Sequence, residues 1–168
     1  MNMNKFKKLV SEIKDSDIAK LTDIINKYEK IVIIGNGGSN AIASHIANDL
    51  TKTLNKKCLA FTDSSVLTCF MNDYGVEDSY KQFVMRFAEE DTLVILISSS
   101  GNSENIVRTA EYCVEKDIKF VTLTGFSEDN KVRTRFKDAA LMDIWVDSTS
   151  YGIVECAHMV YLHGVIDV

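Results

Sequence analysis

Short apolar runs alternate with helix-like segments along most of this chain, and this alternation limits the possible folds more than any other feature. The run IVIIG at residues 31–35 is continuous, rich in β-branched residues and closed by glycine, which is typical of a buried parallel strand. Similar runs follow at residues 57–62, 92–97, 119–123 and 141–146, and helical periodicity marks residues 40–54, 78–88, 104–115 and 151–168. We therefore predict an α/β fold, a three-layer α/β/α sandwich around a five-stranded, mostly parallel sheet.

The first thirty residues have apolar side chains at three- and four-residue spacing. This spacing predicts an amphipathic helix, or a pair of helices broken near residues 15–17. The whole chain, residues 1–168, then forms a single domain that begins with this helical segment (1–30). The segment carries more apolar residues than one small sheet needs to cover its face, so we expect it to pack against other copies of the chain.

Composition and charge exclude several classes of protein. The 168 residues are 46% hydrophobic, enough for a sizeable core. With 19 Lys and Arg against 24 Asp and Glu, the formal net charge is −5, which argues against a nucleic-acid partner. The sequence has no apolar run of the roughly 20 residues needed to cross a bilayer, and its first fifteen residues resemble neither a signal peptide nor an anchor. We expect a cytoplasmic protein with no membrane partner.

The four cysteines show no pairing that would indicate a metal knuckle or a redox motif. They stand far apart, without a CxxC pair, and each has apolar neighbours. Their expected role is that of reduced, buried small side chains.

The loop after the first predicted strand is rich in glycine and runs directly into a predicted helix. It reads Gly35-Asn36-Gly37-Gly38-Ser39-Asn40. A nucleotide P-loop is disfavoured because no lysine follows the glycines, and a dinucleotide fingerprint requires glycine where Asn40 stands and an acid earlier than Asp63. The remaining interpretations are a tight turn capped by Ser39 and a helix amino terminus that binds an anion.

A second polar loop follows the predicted strand at residues 92–97. It reads Ser98-Ser99-Ser100-Gly101-Asn102-Ser103 and also leads into a helix. Hydroxyls and helix-start amides, without a cationic side chain, suit a phosphate monoester held by neutral donors. One such loop could be only a capped turn. Two of them at strand ends of one sheet favour a phosphate site.

Several segments together resemble the sugar isomerase (SIS) domain family, and within it the phosphoheptose isomerases. They are IVIIGNGGSNAIASHIANDL, NDYG at residues 72–75, ISSSGNSENIVRTA, FVTLTG and ECAHMVYLH. The resemblance implies a phosphate site and contacts to the sugar hydroxyls from Asn36 and Asp73. The residues implied for the phosphate and the rest of the substrate are Gly37, Gly38, Ser39, Ser98, Ser99, Ser100, Ser103 and Glu155.

The histidines of the chain are His45, His158 and His163. His45 and Asp49 are four residues apart and share a helix face. Glu155 and His163 are eight apart, which puts them about 80° from each other around a helix, whereas His158 is about 140° from His163. If the two helices meet, two imidazoles and two carboxylates form a set suited to zinc, namely His45, Asp49, Glu155 and His163. The alternative is a solvated helix face for each pair.

The resemblance also assigns roles to this set. It implies an active site at a subunit boundary of a homotetramer, with zinc in some members, and with Asp49 and His163 moving a proton through an enediol. We accordingly expect the two helices to come from neighbouring protomers. The sequence departs from the family pattern at three positions: Asp49 replaces glutamate, Glu155 replaces glutamine, and Gly152 replaces an aspartate that contacts the sugar.

The predicted function is therefore that of an enzyme, an aldose–ketose isomerase of a phosphorylated sugar. The resemblance implies conversion of sedoheptulose 7-phosphate to D-glycero-D-manno-heptose 7-phosphate. The three departures leave two alternatives open: an isomerase of a different sugar phosphate, and a non-catalytic tetramer that binds a protein partner such as the replication initiator. A sensor fused to a DNA-binding domain is disfavoured, since the sequence has no basic helix-turn-helix.

Overall fold

The computed structural model contains a five-stranded sheet in which every strand is parallel to its neighbours. It describes residues 3–167, so residues 1, 2 and 168 of the predicted domain lie outside the described part. The strands are β1 (Lys30–Gly35), β2 (Lys57–Ala60), β3 (Thr92–Ser98), β4 (Phe120–Gly125) and β5 (Met142–Val146), in the order β2-β1-β3-β4-β5. The predicted α/β sandwich and its five strands are confirmed.

Helices cover both faces of the sheet. Within residues 3–167 they are α1 (Met3–Glu12), α2 (Asp15–Asn26), α3 (Gly38–Leu54), α4 (Ser64–Tyr74), α5 (Val76–Phe87), α6 (Glu104–Glu115), α7 (Lys131–Phe136) and α8 (Tyr151–Ile166). No helix in this range is both long and apolar enough to cross a membrane.

The side chains of β1 show how the three layers form. Ile31 and Ile33 point into a core shared with α2, α3 and α8, whereas Val32 and Ile34 point into a core shared with α5, α6 and α7. Successive side chains of a strand face opposite sides of the sheet, so a continuous apolar run serves two cores at once.

The amino-terminal segment is a helix pair, one of the two predicted forms. The break falls between Glu12 and Asp15, at the start of the predicted interval. Leu21, Ile24 and Ile25 of α2 are buried in the main core. In contrast, α1 has no buried residue and touches the rest of the chain mainly through α8.

The sequence analysis did not predict α4 and α7. The apolar side chains of α4 at residues 66, 67, 70 and 71 have helical spacing and pack against one core without being fully buried, so the sequence did contain a signal for this helix. The helix α7 has only six residues, four of them Lys, Arg or Thr, which is too short for helical periodicity to emerge.

The order of the strands determines where a ligand can bind. From β1 the chain moves to β2 at one edge, and from β3 it moves through β4 to β5 at the other. The connections therefore diverge between β1 and β3. In open parallel sheets such a divergence leaves a crevice beyond the carboxyl ends of the two strands.

Candidate active site

A cavity of about 250 Å³ lies beyond the carboxyl ends of β1 and β3. We call it the cup. It is lined by Asn36, Gly37, Gly38, Ser39, Ser98, Ser99, Ser100, Ser103, Tyr151 and Glu155. Both polar loops singled out in the sequence therefore contribute to one cavity, together with the start of α8.

The first wall of the cup is the turn between β1 and α3. Gly37 has a φ of 54°, a left-handed conformation that favours glycine. A Cβ added at Gly35 would lie 2.6 Å from the carbonyl carbon of Ser39, so α3 packs directly on the end of β1. The hydroxyl of Tyr80 donates a 2.7 Å hydrogen bond to the carbonyl oxygen of Gly35, and burial raises the pKa of Tyr80 to about 12. This phenol is therefore a fixed structural donor.

The second wall is the serine-rich loop between β3 and α6. Its turn is held by the amide of Gly101, which donates to the carbonyl oxygen and to the hydroxyl of Ser98 at 3.0 and 3.2 Å. Ser98 and Ser99 are buried. The Oγ atom of Ser99 has no hydrogen-bond partner within the described residues. A buried hydroxyl without a partner is costly, and a ligand in the cup would supply one.

A pair of side-chain amides joins the two walls. Asn36 and Asn105 exchange two hydrogen bonds, each 2.9 Å long. The Oδ1 atom of Asn105 also accepts a 3.0 Å hydrogen bond from the amide of Ile106. Asn105 was not among the predicted site residues. The signal that could have identified it is its place in the first turn of the helix that follows the serine loop.

The charge of the cup is unusual for an anion site. The helices α3, α6 and α8 all begin around it, at Gly38, Glu104 and Tyr151, and helix amino termini attract anions. Among residues 3–167, no lysine, arginine or histidine lines the cavity, whereas the acidic residue Glu155 does. Tyr151 also lines the cup and was not among the predicted site residues. Its exposed ring packs edge-on against that of Phe126, with 4.8 Å between the ring centroids.

A second group of polar side chains lies on facing surfaces of α3 and α8. The Nε2 atom of His45 lies 3.2 Å from Oδ2 of Asp49, and the ring centroids of His45 and His163 are 5.2 Å apart. One ligand atom from each of the three residues lies within 4.8 Å of the others. We call this group the His-Asp cluster. Its two helices belong to one chain, so the expectation that they come from neighbouring protomers is wrong.

The composition of the His-Asp cluster fits zinc. This ion commonly takes three protein ligands at catalytic sites and leaves a fourth position open, and the cluster offers two imidazoles and one carboxylate. The three residues can thus hold such an ion. Lys52 lies 3.6 Å from Oδ1 of Asp49 and partly balances its charge.

Glu155 and Asp73 lie outside the His-Asp cluster. Glu155 is in the cup, where a Cβ added at Gly38 would overlap its carboxylate. Asp73 is exposed on α4 and does not line the cup of its own chain. Its carboxylate accepts a 2.9 Å hydrogen bond from Asn72, and a hydrogen bond to the same carboxylate raises the pKa of the Cys69 thiol.

His158 has a structural position, as its angle around α8 indicated. It is buried, and its Nε2 atom lies 3.1 Å from the carbonyl oxygen of Thr124 at the end of β4. Burial lowers its pKa to about 4, so the imidazole is neutral near pH 7 and Nε2–H donates to this carbonyl. The bond ties the middle of α8, between Glu155 and His163, to the sheet.

Comparison with known proteins places these features in context. The SIS domain family matches residues 3–125. The phosphoheptose isomerase of Fusobacterium nucleatum is 31% identical over 88% of this chain and 76% of its own length. That of Serratia proteamaculans is 36% identical over 62% of this chain, which spans only 57% of the length of that relative.

Solved structures agree with the sequence matches. Phosphoheptose isomerase GmhA from Neisseria gonorrhoeae superposes with a TM-score of 0.84 at 26% identity, over 96% of this chain and 89% of its own. A phosphoheptose isomerase from Francisella tularensis has the same fold, with a TM-score of 0.83 at 23% identity over 98% and 90% of the two chains.

Proposed function

Because this chain belongs to the SIS-domain family and, within it, to the phosphoheptose isomerases, we propose that it is an aldose–ketose isomerase. Its proposed reaction converts sedoheptulose 7-phosphate to D-glycero-D-manno-heptose 7-phosphate. The observation that carries the proposal is that α3 and α8 each run from the cup to the His-Asp cluster. A candidate anion site and a candidate proton-transfer site thus lie along the same pair of packed helices.

The cup binds the phosphate group through neutral donors. The cavity is lined by Ser98, Ser99, Ser100 and Ser103 and by the glycines at the start of α3. Hydrogen bonds to a charged acceptor are about twice as strong as those between neutral groups. The phosphate therefore does not require a cationic side chain, and the cup orients the sugar that follows it.

The separation between the cup and the His-Asp cluster along α8 suits a long sugar. Glu155 in the cup and His163 in the cluster are eight residues apart, a rise of about 12 Å along α8. Seven carbons in an extended chain span roughly 7.5 Å at a C–C bond length of about 1.5 Å, to which the phosphate adds its own length. A seven-carbon ketose phosphate comes close to this rise in length, whereas a three-carbon one falls well short.

The His-Asp cluster moves the proton. Asp49 takes a proton from C1 of the ketose while His163 gives one to the carbonyl oxygen at C2, which forms the enediol. Return of a proton to C2 and loss of one from the C1 hydroxyl produce the aldose. His45, 3.2 Å from Asp49, holds the shorter aspartate in place. Carboxylates and imidazoles within hydrogen-bond reach are the usual groups for such a transfer.

A zinc ion is part of the proposal, and His45, Asp49 and His163 would hold it with one atom each. The second carboxylate oxygen of Asp49 and the second ring nitrogen of His163 would then remain for the proton. When bound, such an ion supplies a Lewis acid that stabilises negative charge on the oxygens of the reacting carbons. Glu155 does not belong to this ligand set in the proposed arrangement, since its carboxylate lies against Gly38.

The proposed assembly is a homotetramer. Met3 and Val10 of α1 are more than half exposed, and α1 has no buried residue, so a neighbouring chain would cover apolar surface there. Asp73 would reach the sugar held by another chain in such an assembly. Gel filtration should give about four chains per particle, and an active monomer would contradict this part of the proposal.

Incubation of the purified protein with sedoheptulose 7-phosphate tests the function. Aldose formation is followed in three parallel samples: the protein alone, with added zinc, and with a chelator. We expect turnover that zinc sustains and the chelator removes. If no sample shows turnover while inorganic phosphate still binds, the isomerase proposal fails and a phosphate-dependent binding protein becomes the better interpretation.

A further inference from the structure

One carboxylate lies inside the cavity that is otherwise built for an anion. Glu155 lines the cup beside hydroxyl, amide and glycine residues that carry no charge. Within residues 3–167 it has no ion pair with a basic side chain. A half-buried carboxylate without a cation is unfavourable unless local dipoles stabilise it.

The position of this carboxylate identifies those dipoles. It packs against Gly38, the first residue of α3, so closely that the position has no space for a Cβ. The residue before it, Gly37, caps α3 without a side-chain hydrogen bond. The carboxylate of Glu155 therefore lies beside the amino end of α3, where the helix dipole would also attract a phosphate oxygen.

A second observation indicates that the cup is made for a ligand other than Glu155. The Oγ atom of Ser99 is buried and has no partner within the described residues, and Ser99 lines the same cavity. Glu155 thus lies at one end of the cup, and the hydroxyl of Ser99 remains without a partner. A phosphate that reached both ends would have to displace the carboxylate from Gly38.

We propose that Glu155 is an internal competitor of the phosphate group: its carboxylate occupies the amino end of α3 in the empty cup and turns outward when a phosphate binds. The proposal rests on the proposed function, because it takes the cup as the phosphate site. It makes Glu155 a specificity-determining residue that weakens the binding of dianions, and that speeds their release by returning to Gly38.

Two variants separate the charge of Glu155 from its position. Glu155→Gln removes the charge at nearly constant shape, so it should bind inorganic phosphate at least about tenfold more tightly, given the repulsion between like charges a few ångströms apart. Glu155→Asp keeps the charge but withdraws it from Gly38 by one methylene, so its affinity should fall between those of Glu155→Gln and the natural protein.

Glu104→Gln is the matched control. Glu104 opens α6 at the rim of the cup, but its carboxylate pairs with Lys131 and Arg108 and does not line the cavity. The Glu104→Gln variant loses the same charge close to the cup. Its affinity for phosphate should stay within about twofold of that of the natural protein.

Calorimetric titration with inorganic phosphate gives the affinities without any need for turnover. The KM for sedoheptulose 7-phosphate should fall in Glu155→Gln in parallel with the phosphate dissociation constant. Equal or weaker phosphate binding by Glu155→Gln overturns the inference, as does an equal gain in Glu104→Gln. If the natural protein binds phosphate but isomerises no sugar, the proposed function fails while the inference stands. If neither the natural protein nor Glu155→Gln binds phosphate, both fail.

Discussion

The cup and the His-Asp cluster differ in what holds them in place. The cup is made of two loops at strand ends, fixed by the Asn36–Asn105 amide pair and by the turn at Gly101. The cluster consists of three side chains on two helix surfaces, where the His45 side chain is 52% exposed and that of Asp49 is 17% exposed. Many backbone-anchored groups contribute to ligand binding in the cup. In the His-Asp cluster, three side chains would carry out the proton transfer.

This difference has a consequence for substitution. Loss of one donor from the cup leaves several others in place, so the effect on binding should be partial. Loss of one member of the cluster removes a group that has no substitute, so the effect on the chemical step should be near complete.

Replacement of His163 by glutamine should lower kcat by about 10²- to 10⁴-fold, the usual contribution of a general acid or base. The affinity for inorganic phosphate should be unchanged, because His163 does not line the cup. Steady-state kinetics with sedoheptulose 7-phosphate and phosphate titration measure the two quantities. Cys156→Ser on the same helix is the control; contrary to the expectation of buried cysteines, Cys156 and Cys69 are exposed. A loss of phosphate affinity equal to the loss of kcat would mean that the two regions are not separate.

Acidification should destabilise the fold through His158, which joins α8 to the sheet between the two regions. The fold lowers the pKa of this buried imidazole from 6.5 to about 4, so the unfolded state binds the proton first. The free energy of unfolding should therefore be unaffected by His158 above pH 6.5 and should fall as the pH drops from 6.5 to 4, by on the order of 3 kcal/mol at the lower limit.

Urea unfolding at several pH values measures this slope. The difference in the free energy of unfolding between His158→Gln and the natural protein at pH 7.5 is subtracted first. On acidification to pH 4 the variant should then lose about 3 kcal/mol less than the natural protein. Equal slopes in the two proteins would show that His158 is not buried in its neutral form.

The double change Ser100→Ala and Ser103→Ala should raise the phosphate dissociation constant on the order of 100-fold, since each lost hydrogen bond to a charged acceptor costs about 1.5 kcal/mol. The value of kcat at saturating sugar phosphate should change by less than about threefold, since the His-Asp cluster is intact. Ser16→Ala, an exposed serine on α2, serves as the control. A larger fall in kcat than in affinity would contradict the division between binding and proton transfer.

The sequence predicted the fold and the cup well because both follow from contiguous patterns. Continuous apolar runs identify buried strands, and the residues just after them must lie at one edge of a parallel sheet. Asp73 was different, because its role followed only from a family motif. The structure describes it as exposed on α4, away from the cup of its own chain.

Glu155 shows where reasoning from helical angles ends. An angle of about 80° around the axis put it on nearly the same face as His163, but eight residues also separate the two by about 12 Å along that axis. The rise places Glu155 in the cup, while His163 meets His45 and Asp49. Which groups share a site depended on how α8 docks on the sheet, and no local pattern contains that information.

The paired amides of Asn36 and Asn105 have a thermodynamic consequence. They join the turn after β1 to the helix after β3 before any ligand arrives. The conformational entropy of ordering these two loops is thus lost during folding and not during association, which is the basis of preorganisation. Ligand encounter then requires little rearrangement of the backbone, and only side chains need to adjust as the sugar enters.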